Sequence, residues 1–121
     1  MKYKIEFREE KEILIVEFSG YRTLEDSLEL WDIVANESKT RNKRKLLLIS
    51  HLSGDFPQLD AYRSAEALAN KLNRIVSKIA YADLSEKSYT GVKFGELVAV
   101  NRGIRGVVFR SVEEALSYLK E

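Results

Sequence analysis

Lys45-Leu46-Leu47-Leu48-Ile49 decides the reading of this chain. Its apolar residues fill consecutive positions instead of alternate ones. That is the pattern of a strand buried on both faces at the centre of a parallel sheet. Parallel neighbours need crossover connections, and the flanking sequence supplies them. Upstream, Thr23 offers an N-cap hydroxyl, and Glu25 and Asp26 suit the positive end of a helix dipole. Leu24, Leu28, Trp31 and Ala35 follow at helical spacing, so a helix is expected from about Leu24 to Ser38. Downstream, Ala61, Ala65, Leu68 and Leu72 share one face of a second helix.

Further out, Tyr3, Ile5 and Phe7 alternate with Lys4, Glu6 and Arg8, the period of a half-buried strand. Glu9 to Glu12 reads as a solvated turn, and Ile13 to Phe18 as a deeper strand that pairs back as an antiparallel hairpin and ends at Ser19-Gly20. Beyond the second helix, Ile75 to Ala82 is expected to be a strand, left through Asp83-Leu84-Ser85. The stretch Glu86 to Arg102 is read as a helix over its C-terminal half, closed by Gly103. Gly91 and Gly95 weaken it by about 1 kcal/mol each relative to Ala. Ile104 to Phe109 gives the last strand. Ser111-Val112-Glu113-Glu114 is a capping box that opens a final helix through Ala115, Leu116 and Leu119. The expected fold class is α/β in the order ββαβαβαβα: a single mostly parallel sheet of about five strands with an antiparallel N-terminal edge hairpin. Residues 1–121 are expected to form one domain.

Lys plus Arg total 20 and Asp plus Glu total 19, so the net charge is +1 and extended polyanion binding has no global driving force. The basic run Lys39, Arg41, Lys43, Arg44, Lys45 contains no aromatic residue to stack on bases; it is read as a helix C-terminus and a wet connection, with no nucleic-acid partner. There is no Cys, which excludes disulfides and thiolate chemistry. One His and no spaced carboxylate pair give no expected metal. Neither G-x-x-x-x-G-K-[ST] nor G-x-G-x-x-G occurs, and no cofactor is expected. No apolar run approaches the length of a membrane span or a signal core, so a cytoplasmic protein is expected.

In parallel sheets, function collects at the carboxyl ends of the strands. Those ends carry the candidate binding residues Ser50, His51, Asp55, Phe56, Asp83 and Arg110. An enzymatic reading pairs His51 with Asp55 or Asp83, but no Gly-x-Ser-x-Gly elbow supports it. A ligand-binding reading takes Phe56, Tyr89 and Phe94 as walls of a pocket for a small apolar or acyl ligand, with the Gly91–Gly95 helix as a lid.

The element order and several residues together resemble a STAS domain, and more closely the free-standing SpoIIAA-like bacterial proteins. The residues that carry the resemblance are Leu46-Leu47-Leu48-Ile49 followed by Leu52-Ser53-Gly54, the strand Lys78-Ile79-Ala80-Tyr81, and Val107-Val108-Phe109-Arg110-Ser111 leading to Glu113-Glu114-Ala115-Leu116 and Leu119. The resemblance implies a non-catalytic regulatory module that binds a protein partner or itself, through the loop from Ser50 to Gln58 and the helix after it. Apolar ligand binding is the alternative, and homodimers are common among small proteins. The family's Asp-Ser-Ser-Gly phosphorylation motif would fall at Asp60-Ala61-Tyr62-Arg63, where Ala61 and Tyr62 stand in place of the serines, so no phosphosite is carried over.

Overall fold

A computed structural model of the chain describes residues 3–85 and 105–121, together with Lys93, Glu96 and Val98. Five strands form one sheet: β1 (Tyr3–Glu10), β2 (Ile13–Tyr21), β3 (Lys45–Ser53), β4 (Lys78–Asp83) and β5 (Arg105–Phe109). They lie in sequence order across the sheet. β1 pairs antiparallel with β2, and every later pairing is parallel. Three helices are described: α1 (Leu24–Thr40), α2 (Gln58–Leu72) and α3 (Val112–Lys120). The expected α/β sheet with an antiparallel edge hairpin is the sheet this chain builds. Gly91, Gly95 and Gly103, with most of the helix expected around them, lie outside the described residues.

Two cores follow from the pleat of the sheet, because successive side chains on a strand point to opposite faces. Leu14, Val16 and Phe18 of β2 and Leu46, Leu48 and Leu52 of β3 pack under α1 and α2. Ile13 and Ile15 of β2 and Leu47 and Ile49 of β3 face the other way, against Ala115 and Leu119 of α3. The unbroken apolar run of β3 thus serves both cores. Phe18, Trp31 and Tyr81 meet edge-on, with ring centroids 5.8, 6.2 and 6.4 Å apart. The Trp31 indole N–H donates to the Ser64 hydroxyl at 2.9 Å, tying α1 to α2 inside the core.

Several boundaries differ from the sequence reading, each for a stated reason. β2 runs to Tyr21 instead of Phe18, and β3 to Ser53 instead of Ile49, because their ladder continues to the pair Tyr21↔Ser53. Pairing here satisfies backbone groups that a loop would leave to water. β4 starts at Lys78 instead of Ile75. Ile75 and Val76 both donate their amides back to the Leu72 carbonyl, at 2.9 Å, and so close α2. Val76 is apolar because it is buried in the first core, not because it is in a strand.

Helix ends carry the expected caps. Thr23 accepts from the Asp26 amide at 3.1 Å. Ser111 accepts from the Glu114 amide at 3.3 Å, while the Glu114 carboxylate takes the Ser111 hydroxyl at 3.0 Å in place of the backbone amide of a full capping box. α1 extends two residues past Ser38 and closes with Asn42 at φ 55°. Asn42 N–H reaches the Lys39 carbonyl and Lys43 N–H the Ser38 carbonyl, at 3.2 and 3.0 Å. This is a Schellman closure, whose left-handed residue favours Gly or Asn. Asn42→Val is therefore expected to cost about 1–2 kcal/mol, and Asn42→Gly to be neutral or mildly stabilising. Thermal midpoints of the two variants check the ordering.

Two cations of the basic run after α1, Arg41 and Lys43, are held by the hairpin. Arg41 pairs with Glu37 at 2.8 Å and Glu9 at 3.0 Å, and Lys43 pairs with Glu9 at 3.0 Å and donates to the Lys11 carbonyl at 2.9 Å. The Lys43 hydrogen bond is the largest reason the Glu9 carboxyl sits below the usual carboxylate range.

At the β5 border, the Glu96 carboxylate accepts from the Val108 amide at 2.6 Å. The Lys93 ammonium bonds the Val108 carbonyl at 3.3 Å and the Glu96 carboxylate at 2.8 Å. Two side chains thus take the backbone donor and acceptor that an added strand would otherwise use.

No helix among the described residues is long and apolar enough to cross a membrane.

Candidate functional site

The carboxyl ends of β2, β3 and β4 bring together a buried polar cluster and an exposed apolar rim. Arg22 follows β2 directly. Its backbone amide donates to the Ser53 carbonyl at 2.8 Å, which turns its side chain inward at the mouth of the sheet. The guanidinium lies 3.7 Å from Asp83 Oδ1, with side chains 1% and 0% exposed. Phe56 covers the guanidinium, its ring centroid 5.4 Å away. The same Asp83 oxygen accepts from the Ser85 amide at 3.2 Å, fixing the turn that leaves β4. Ser50 sits opposite Asp83 in the ladder, is fully buried, and accepts the Leu84 amide on its carbonyl at 3.1 Å. Burial pushes the Tyr81 phenol up, against the opposing charge of Arg22 and a hydrogen bond with Ser50.

Outside this cluster the surface carries large apolar side chains. Among the described residues, four large hydrophobic ones stand exposed: Tyr21 (66%), Leu59 (59%), Leu84 (40%) and Tyr62 (37%). Each belongs to the same end of the fold. Tyr21 closes β2, Leu59 and Tyr62 lie in the first turns of α2, and Leu84 follows β4. Tyr21 and Leu84 are also the chain neighbours of buried Arg22 and Asp83, so the ion pair holds both in place. Gly54, at φ +95°, lets the loop pass beneath Tyr21; a Cβ there would meet the phenol ring at 3.1 Å.

Of the six candidates, Ser50, Asp83 and Phe56 belong to the buried cluster. Asp55 is exposed in the loop beside Phe56, and Arg110 is exposed at the end of β5. His51 lies elsewhere. It shares a face with Leu47 and Ile49, opposite to Ser50 and Leu52, and its Nε2 is 2.6 Å from Glu17 Oε2. The expected imidazole partners Asp55 and Asp83 are replaced by Glu17. The Tyr89 and Phe94 walls of the ligand-binding reading lie outside the described residues, and Phe56 packs on Arg22. A cleft of about 220 Å³ lies at the opposite end of the sheet, lined by Glu10, Lys11, Glu12, Lys45, Leu119 and Lys120 among others. Among the described residues, no three His, Asp or Glu side chains group to hold a metal ion.

Glu17 is the centre of a small charged line on that other face. Arg8 donates to it at 2.9 Å, and this bond, followed by the one with His51, holds its carboxyl below the usual carboxylate range. A lowered folded-state pKa means that Glu17 stabilises the fold above its unfolded value. That contribution is lost as pH falls from there through the folded value. In Arg8→Gln, carbon NMR of the Glu17 carboxyl is expected to show titration at higher pH, with less acid-dependent loss of stability assignable to this group.

Arg22, Tyr21, Leu59 and Leu84 were not among the sequence candidates. Their signal is positional. Arg22 lies between a strand and the N-cap Thr23, and the apolar residues stand just beyond element ends, where solvated side chains are the rule.

No family model matches the chain, and no curated protein matches it. Among solved structures it is similar to an anti-sigma factor antagonist from Mycobacterium paratuberculosis, with a TM-score of 0.61 and 9% sequence identity, over 98% of this chain and 95% of that one. At that identity the likeness is one of fold, and it is the SpoIIAA-like fold that the sequence suggested.

Proposed function

We propose that this chain is a non-catalytic, STAS-like regulatory module that binds a protein partner through the carboxyl end of its parallel strands. The observation that carries this reading is the gathering of Tyr21, Leu59, Tyr62 and Leu84 at one end of the fold, exposed, over a rigid buried base. Contiguous exposed apolar side chains mark interaction surfaces, and aromatic anchors dominate their energetics. The base matters equally. Arg22, Asp83 and Ser50 fix the segments that carry Tyr21 and Leu84, and α2 carries Leu59 and Tyr62, so little ordering entropy is left to lose on binding. Asp55 and Phe56 belong to the same face. The SpoIIAA-like fold supports the reading, because an anti-sigma factor antagonist of this shape acts on a protein.

The test is photo-crosslinking from a benzophenone side chain placed at Tyr62 on the full chain in extract of the source cell. One defined protein adduct is expected, and it should disappear in Leu59→Asp at an unchanged thermal midpoint. An adduct pattern that ignores Leu59→Asp would remove this face from consideration.

A further inference from the structure

We infer that the partner presents a cationic segment in which Lys or Arg flank apolar side chains; the inference rests on the contact face proposed above. The two ends of the fold treat their charges differently. At the amino end of the sheet most carboxylates meet cations: Glu9 pairs with Arg41 and Lys43, Glu37 with Arg41, and Glu10 with Lys120 at 3.0 Å, while Glu12 and Glu121 have no ion pair with a described residue. Cations are in excess there. Lys45, Lys78 and Arg105 stand in register on three adjacent strands, and the Lys78 ammonium turns to the Tyr118 carbonyl near the C-terminus of α3 at 2.7 Å.

At the carboxyl end the opposite holds. Arg22 and Asp83 offset each other beneath the surface. Glu25, in the first turn of α1, Asp55, in the loop, and Asp60, in the first turn of α2, form no ion pair with any described residue. They lie at the same end of the fold as Tyr21, Leu59 and Leu84, where Arg63 on α2 and Arg110 after β5 are the exposed cations among the described residues. A carboxylate kept in water beside an apolar patch leaves its charge available to an incoming surface, and complementary charge steers encounter and selects partners. An acidic partner would meet uncompensated like charge on this face, and a neutral one would leave the carboxylates desolvated and unmatched. The apolar residues set where contact is made, and the carboxylates set with what.

The experiment is selection of a displayed library of short random peptides on the full chain at low salt, followed by affinity measurement of the selected peptides. The expected consensus joins Lys or Arg to Leu, Phe or Trp. Its affinity should fall roughly three- to tenfold in the double variant Asp55→Asn, Asp60→Asn. It should fall more than about tenfold in Leu59→Ala, Tyr62→Ala, and weaken steadily with added salt. Binding that fails in the apolar variant but is indifferent to the Asn pair and to salt, or an acidic or uncharged consensus, overturns the inference and leaves the contact face standing. A consensus untouched by Leu59→Ala, Tyr62→Ala overturns the face itself. Concentration-dependent stacking of the chain on its own basic end, seen by light scattering and abolished by the Asn pair, makes a second copy the occupant and overturns the choice of a separate partner.

Discussion

Asp83→Ala is expected to lose about 3–5 kcal/mol of folding stability, a large share of the roughly 5–15 kcal/mol available to a small domain. Asp83 is almost completely buried beside Arg22, and its removal leaves the guanidinium in a site that Phe56 and the strand ends close to water. The cost comes from the stranded cation more than from the lost attraction, since the pair distance of 3.7 Å is longer than a strong charge-assisted bond. The turn at Ser85 also loses its acceptor. Arg22→Met combined with Asp83→Leu should be far less damaging than the two single losses added, because neither variant side chain leaves a charge behind. Urea unfolding followed by Trp31 fluorescence measures the parent chain and its four variants. A loss below about 1 kcal/mol in Asp83→Ala would show the site to be wetter than the geometry requires.

Trp31→Ala is expected to cost about 3–5 kcal/mol, the range for an aromatic removed from a packed core. Trp31 is 3% exposed, meets Phe18 and Tyr81 edge-on, and spans the interval between the sheet and α2. Trp31→Phe separates the two contributions. It keeps most of the ring contact but leaves the buried Ser64 hydroxyl without the indole donor, an expected loss of about 1–3 kcal/mol. Adding Ser64→Ala to Trp31→Phe should recover part of that loss. As Trp31 is the single Trp, circular dichroism is the probe for this series. Equal stability of Trp31→Phe and the double variant would place the cost in packing alone.

Most of the fold was legible because the residues that set it act locally. Continuous apolar runs marked β2 and β3 as interior, alternation marked β1 as an edge, and Thr23 and Ser111 announced two helices. The errors arose where tertiary pairing outweighs local pattern. Ser50-His51-Leu52-Ser53 looks like a loop by composition, yet it is strand because β2 lies alongside it. Ile75-Val76 looks like strand, yet it is the wrapped end of α2 because its apolar side chains have a core to enter. The buried cluster was partly legible. Topology pointed to the carboxyl end of the parallel strands, where Ser50, Asp55, Phe56 and Asp83 lie. His51 went astray because strand alternation sends it to the far face, a consequence of register that one sequence does not display. Arg22 stands at one of these strand ends but is not singled out by sequence, because a cation beside a turn is ordinarily solvated, and only the approach of Asp83 and Phe56 makes it an interior group.

The Lys93–Glu96 clasp on Val108 gives the molecule a polarity of assembly. Of the two borders of its sheet, the β5 side has the N–H and C=O of Val108 already engaged, while β1 has no neighbouring strand on its outer side among the described residues. An edge whose ladder groups are taken resists a further strand, so any edge-to-edge pairing of copies is expected to use β1 and to stop at two. Glu96→Ala would give this protein two receptive borders, and chain-like polymers in the light-scattering record are the expected consequence.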